Sequence, residues 1–145
     1  MARRIDSQGL VLVASPAYLR AHGTPARLED LAGHKAVAFR LPTSGRSRPW
    51  QLRQGRRIVE LHPVHSAQIS DTEALGAAAL LGLGLCQLPD YVVQDELARG
   101  KLVEVLAAHR PPPMPLSAVV PSGRLIPPRV RVLLDALETL RDRDR

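Results

Sequence analysis

Residues 70–90, SDTEALGAAALLGLGLCQLPD, limit the fold more than any other stretch of the chain. "SDTE" has the form of a capping box, in which Ser70 accepts from the amide of Glu73 and Glu73 reaches back to the amide of Ser70. A helix is predicted from Asp71 to Leu81, with Ala77, Ala78 and Ala79 small enough to let it lie close to a sheet. Gly82 ends it, and Gly84 turns the chain at once into the short apolar strand "LCQL". Two other readings fail. A dinucleotide loop needs a third glycine and must open a helix, whereas "GLGLCQ" closes one. The apolar run from Ala74 to Leu85 is twelve residues, short of the roughly 20 that a membrane span requires.

The rest of the chain repeats this grammar. "LVLVA" (Leu10–Ala14) is a strand candidate followed by Ser15-Pro16, an N-cap with proline at the first helical position, and Gly23 closes that helix. A second short helix, "RLEDLA", leads to the strand "KAVAF". "WQLR" and "RIVEL" form a hairpin around Gly55. "VHSAQI" is the strand that delivers residues 70–90. "DYVVQDELARG" is a helix with Asp90 at its N-cap, and "LVEVL" is another strand. Pro111, Pro112 and Pro113 interrupt all regular structure. Beyond them lie the strand "LSAVV" and a helix whose Val130, Leu133, Leu134, Leu137 and Leu140 fall on one face. The pattern predicts an α/β fold with a mostly parallel sheet and one antiparallel hairpin. Three strand-to-helix junctions, Ala14-Ser15, Ile69-Ser70-Asp71 and Leu88-Pro89-Asp90, are expected to gather along one rim. Ligands bind beyond the carboxyl ends of such strands, and helix N-termini there favour anions.

Residue chemistry argues against catalysis. The single cysteine, Cys86, lies in an apolar strand and reads as core. The five histidines show no metal-ligand spacing, so neither a metal nor another cofactor is predicted. No nucleophile elbow occurs, and the serines of "TSGRS" have no identifiable base. A charge of +6 is concentrated in part in Arg46, Arg48, Arg53, Arg56 and Arg57. That cluster supports an alternative reading, a basic module contacting nucleic acid through Arg46–Arg57; Trp50 and Phe39 are too isolated to stack bases. With no secretion signal or span in the sequence, the chain is expected to be cytoplasmic and not membrane-bound.

Three segments in order, "VLVASPAYLRAHGTPARLEDLAGH", the A-x-x-G-x-G-x-x-x-L-P run from Ala79 to Pro89 with "DELARGKLVEVL" after it, and "PLSAVVPSGRLIPPRVRVLLDALETL", resemble the effector-binding region of LysR-type transcriptional regulators. The similarity spans about Leu10 to Leu140. It implies a type II periplasmic-binding-protein-like fold of two α/β lobes with a small-molecule effector between them. On that basis residues 10–110 correspond to lobe two. Residues 111–145 correspond to the returning strand and helix of lobe one, and residues 1–9 to an N-terminal extension or crossover. The resemblance also implies a fragment without the family's N-terminal helix-turn-helix, so that DNA contact belongs to that missing domain. It places the effector against Ser70, Asp71, Thr72, Leu88 and Pro89, with Phe39 and Arg40 nearby. A carboxylate effector suits the helix N-terminus, and a homodimer or self-association follows from lobe-one faces left without their usual cover.

Overall fold

Alternating apolar runs and capped helices set the order of elements. The computed structural model describes residues 2–121 and 125–143, apart from the side chain of His65. In chain order it contains β1 (Ala2–Gln8), β2 (Leu10–Ala14), α1 (Pro16–His22), a 3-10 turn (Leu28–Gly33), β3 (Ala36–Phe39), β4 (Trp50–Gln54) and β5 (Arg57–Leu61). There follow β6 (His65–Ile69), α2 (Thr72–Leu80), β7 (Cys86–Pro89), α3 (Asp90–Ala98), β8 (Val103–Glu104), β9 (Met114–Val119) and α4 (Pro128–Arg143). Two compact units result, one of Gly9–Pro112 and one of Met1–Gln8 with Pro113–Arg145.

In the Gly9–Pro112 unit, β2 is buried along its whole length, as a strand must be when helices and loops cover both faces. It lies antiparallel between β7 and β8. β3 runs parallel to β6, and two backbone bonds tie it to the start of β7: Val37 N–H to Leu85 O at 3.0 Å and Leu85 N–H to Lys35 O at 2.9 Å. The directions of β6, β3, β7 and β8 therefore agree, as a mostly parallel sheet requires, while β2 runs against them. The sheet is mixed in its hydrogen bonding. The hairpin β4–β5 forms its own antiparallel ribbon, closed by Gly55 at φ 64°.

Two apolar clusters hold the unit together. One packs α2 onto β2, β3 and β7 through Val11, Val37, Leu75, Ala79 and Leu88. The other joins Leu12, Tyr18, Leu31, Trp50 and Leu52. Cys86 belongs to the first, and burial pushes its thiol up to about 12, so at neutral pH it is a small apolar residue and no nucleophile.

The helix starts follow the sequence in kind, with two shifts. Ser15 caps α1, its hydroxyl accepting from Tyr18 N–H at 3.1 Å, with Pro16 as the first helical residue. At α2 the cap moves one residue on from Ser70: Asp71 accepts from Ala74 N–H at 2.8 Å, and Ser70 is exposed outside the helix. A carboxylate makes a charge-assisted bond at the positive end of the helix dipole, which a neutral hydroxyl does not match. At α3, Pro89 occupies the cap position and Asp90 is the first helical residue. The cap assignment at α2 has a direct consequence. Asp71→Ala costs about 1 kcal/mol of stability whereas Ser70→Ala costs a few tenths at most; urea unfolding of both variants distinguishes the two residues.

The second unit pairs β1 with β9 antiparallel, from Ala2↔Val119 to Gln8↔Met114. Arg3 on β1 reaches α4, binding Glu138 at 2.6 and 2.8 Å and Asp135 at 2.9 Å. Of the predicted apolar face of α4, Leu134 is buried, Val130 and Leu137 are half-buried, and Leu133 and Leu140 are exposed.

Candidate functional site

Strand directions decide which tips share a rim. Because β6 and β3 are parallel and β7 follows β3, Ile69, Phe39 and Pro89 end at the same edge of the sheet. Leu10 pairs with Pro89, so the start of β2 joins them. Ser15, at the other end of β2, lies at the opposite edge. The expected gathering of all three junctions is thus corrected: two share the rim, and Gly9-Leu10 stands where the Ser15 junction was placed. The cause is the antiparallel direction of β2, which carries its helix start away from the others.

At this rim a small hollow of about 20 Å³ is lined by Leu10, Phe39, Arg48, Pro49, Trp50, Thr72, Leu75, Gln87, Leu88 and Pro89. That volume holds about one water molecule, so any organic ligand at this rim must rise above the hollow. Four residues singled out in the sequence line it: Phe39, Thr72, Leu88 and Pro89. Three do not. Ser70 is exposed, the Asp71 carboxylate is engaged in the α2 cap, and Arg40 is exposed, its backbone N–H donating to Ile69 O at 2.9 Å.

Several lining residues lay outside the sequence prediction, and each arrives by a nonlocal contact. Residues 41–49 fold back along the end of β3: Leu41 N–H bonds Arg46 O at 2.9 Å and Arg48 N–H bonds Phe39 O at 2.7 Å. This return sets half-buried Arg48 beside Phe39, separating it from the exposed Arg46, Arg53, Arg56 and Arg57 with which sequence proximity had grouped it. Trp50, 3% exposed, follows as an aromatic wall. Gln87 is the one polar side chain in the apolar strand β7. Its amide mimics a neighbouring strand, accepting from Gln51 N–H at 2.9 Å and donating to Gln51 O at 2.7 Å. Gln87 therefore holds β4, and with it Trp50, against the rim. A lone glutamine inside "LCQL" was the available signal for this clamp.

The rim also carries the N-terminus of α2, whose first residue, Thr72, lines the hollow. A cation (Arg48), a hydroxyl (Thr72) and a helix N-terminus thus surround an apolar floor. This set suits a compact molecule with an anionic group. Nothing in it supplies a general base paired with a nucleophile. Among the described residues no group of three or more histidine, cysteine or carboxylate side chains is placed to hold a metal, and no helix is long and apolar enough to cross a membrane.

The fold is a mixed α/β arrangement of the periplasmic-binding-protein-like class. Comparison with known proteins narrows this. The LysR substrate binding domain matches residues 2–141, and the chain belongs to that family. It is 34% identical over 138 residues to the HTH-type transcriptional regulator CrgA of Neisseria meningitidis serogroup C (strain 8013), covering 94% of this chain and 45% of that protein. The structure of the CrgA regulatory domain from Neisseria meningitidis aligns with a TM-score of 0.79 at 32% identity, covering 97% of this chain and 68% of that one. The full-length Vibrio cholerae virulence activator AphB aligns with a TM-score of 0.81 at 27% identity, covering 97% of this chain and 48% of that one. The chain spans about half the length of the curated relatives it matches.

Proposed function

We propose that this chain is the effector-sensing portion of a cytoplasmic LysR-type transcriptional regulator. In this reading it binds a small organic acid at the rim of the Gly9–Pro112 unit, without catalysis, metal or coenzyme. DNA contact in such a regulator belongs to its helix-turn-helix. The observation that carries the reading is the convergence of the β6–α2 and β7–α3 junctions with Arg48 and Trp50 around one hollow, in a chain of this family. Arg48 and the Thr72 hydroxyl receive the ligand's carboxylate, beside the α2 N-terminus that Asp71 already caps, and Phe39, Trp50 and Leu88 meet its apolar body. Nucleic-acid contact through Arg46–Arg57 is not favoured, because Arg48 turns to the rim and Trp50 is buried.

A thermal-shift screen against small carboxylic acids and their amides tests this. An acid present at 100 times its dissociation constant adds about 2.7 kcal/mol of stability. Arg48→Gln and Thr72→Val each abolish most of that gain, and the amides give none. Equal shifts from acids and amides, or shifts unchanged in both variants, contradict the assignment.

Self-association is the second part of the proposal. In the unit formed by β1, β9 and α4, Leu116 is 51% exposed, Val119 79%, Val132 68% and Leu133 58%. Apolar side chains at this density on one small unit favour association. Size-exclusion chromatography is expected to show an apparent mass that rises with loading concentration, and Val132→Lys with Leu133→Glu returns it to the monomer. A monomer at every concentration contradicts this.

A further inference from the structure

The hairpin β4–β5 carries features that effector binding does not use. Gln54 and Arg57 flank its two-residue turn and so form a hydrogen-bonded pair. Ile58 and Glu60 then direct their N–H and C=O groups away from β4. No other strand pairs with β5 among the described residues. Its outer edge is a row of open backbone donors and acceptors beside an Ile58 side chain that is 46% exposed.

Two features give this edge a preference. At the turn end, Arg53, Arg56 and Arg57 are exposed and join no ion pair among the described residues. Along the face shared with β4, Val59 and Leu61 face Leu28 of the 3-10 turn across an apolar trough of about 250 Å³, which Glu29 borders and which reaches Gln54 near the turn. A larger hollow of about 350 Å³ continues it past Leu31 and Pro63.

We propose that β5 is a docking edge for an extended polypeptide segment, added as a strand, whose acidic end lies over Arg53, Arg56 and Arg57 and whose apolar end fills the trough at Leu28, Val59 and Leu61. Strand addition draws its affinity from main-chain bonds and its specificity from alternate side chains, and the edge and the trough supply one each. Charge complementarity selects an acidic partner. A second copy of the chain fits less well, because β5 offers a single carboxylate, Glu60, against three arginines. Nucleic acid has no use for an open strand edge, and the one tryptophan that could stack a base is buried.

The probe is a fluorescein-labelled peptide of three glutamates followed by alternating valine and threonine, titrated with the chain and read by anisotropy. It binds, and an analogue with three lysines in place of the glutamates does not. Arg56→Glu with Arg57→Glu, on exposed side chains that leave the far-UV spectrum unchanged, weakens it by about tenfold. Ile58→Pro, which removes an outward N–H, weakens it further. Absence of binding overturns the proposal, as does equal binding of the lysine analogue or of the arginine variant. A thymidine oligonucleotide that binds the same arginines and displaces the peptide assigns the surface to nucleic acid instead. Dimers abolished by Ile58→Pro assign the edge to a second copy, and either outcome overturns the peptide reading.

Discussion

Gly84→Ala lowers the stability of the chain by about 3 kcal/mol, which corresponds to roughly 10 °C in melting temperature for a domain of this size. A Cβ added at Gly84 would sit 2.6 Å from Lys35 O and 2.9 Å from Lys35 C. Both are main-chain atoms, so no side-chain rotation relieves the clash. Lys35 O is also the acceptor of the Leu85 N–H bond that joins β3 to β7. Any movement that admits the methyl group opens this seam. The seam connects the strands leading to Thr72 and Phe39 with the strand leading to Pro89, so the same variant also loosens the rim. Gly82→Ala is the control. Gly82 has φ 76° and ends α2, with Gly82 N–H to Ala79 O at 3.0 Å and Leu83 N–H to Ala78 O at 3.2 Å. An added Cβ there meets one side-chain atom, the Ser15 hydroxyl at 3.2 Å, which must shift by a few tenths of an ångström, so the cost is the left-handed backbone, about 1 kcal/mol, plus a small disturbance of the α1 cap. Thermal melts of the two variants are expected to differ by several degrees, with Gly84→Ala the lower. Equal melting temperatures contradict the close-approach account.

The second large effect is at Gln87. Gln87→Leu keeps the volume but strips Gln51 N–H and Gln51 O of their partners at a part-buried position. Leaving such groups unmade costs about 2 kcal/mol. The readout is specific, because Trp50 is the chain's only tryptophan and adjoins Gln51. Release of β4 from β7 exposes it to water, and its fluorescence emission shifts to longer wavelength in the native state. Gln54→Leu, an exposed position on the same strand, leaves both stability and emission unchanged. A Gln87→Leu variant with native emission and native stability would show that the side chain is no clamp.

Local chemistry explains which parts of the molecule were legible. A capping residue, a proline at the first helical turn and a glycine at the helix end each act on backbone within about four residues of themselves, so α1, α2 and α3 and their exits could be placed from sequence. The hairpin at Gly55 and the break at Pro111–Pro113 are of the same kind. Ser70 and Asp71 stand side by side and both cap well; only the stronger acceptor decides between them, and the sequence pattern does not rank that. The direction of β2 is nonlocal. "LVLVA" followed by Ser-Pro reads identically in either orientation, and its pairing with residues 86–89 determines where Ser15 falls. β1 is polar and alternates weakly, and it becomes a strand only through β9, more than a hundred residues away. Arg48 and Trp50 were missed at the site because the 41–49 return brings them there through contacts with β3 and β7, whereas adjacency in sequence grouped Arg48 with solvent-facing arginines.

The proposed function comes down to one point: a small acid binds where α2 and α3 begin. The most direct measurement is a two-dimensional amide NMR titration of the isotope-labelled chain with the strongest carboxylate from the thermal screen. Saturable shifts are predicted at Leu10, Arg48, Trp50, Thr72, Glu73 and Asp90, with Ser15 and the α1 amides at the opposite edge unmoved. Shifts confined to Ser15 and α1, or spread over the α2–α3 outer faces while Thr72 and Asp90 stay fixed, would contradict the account.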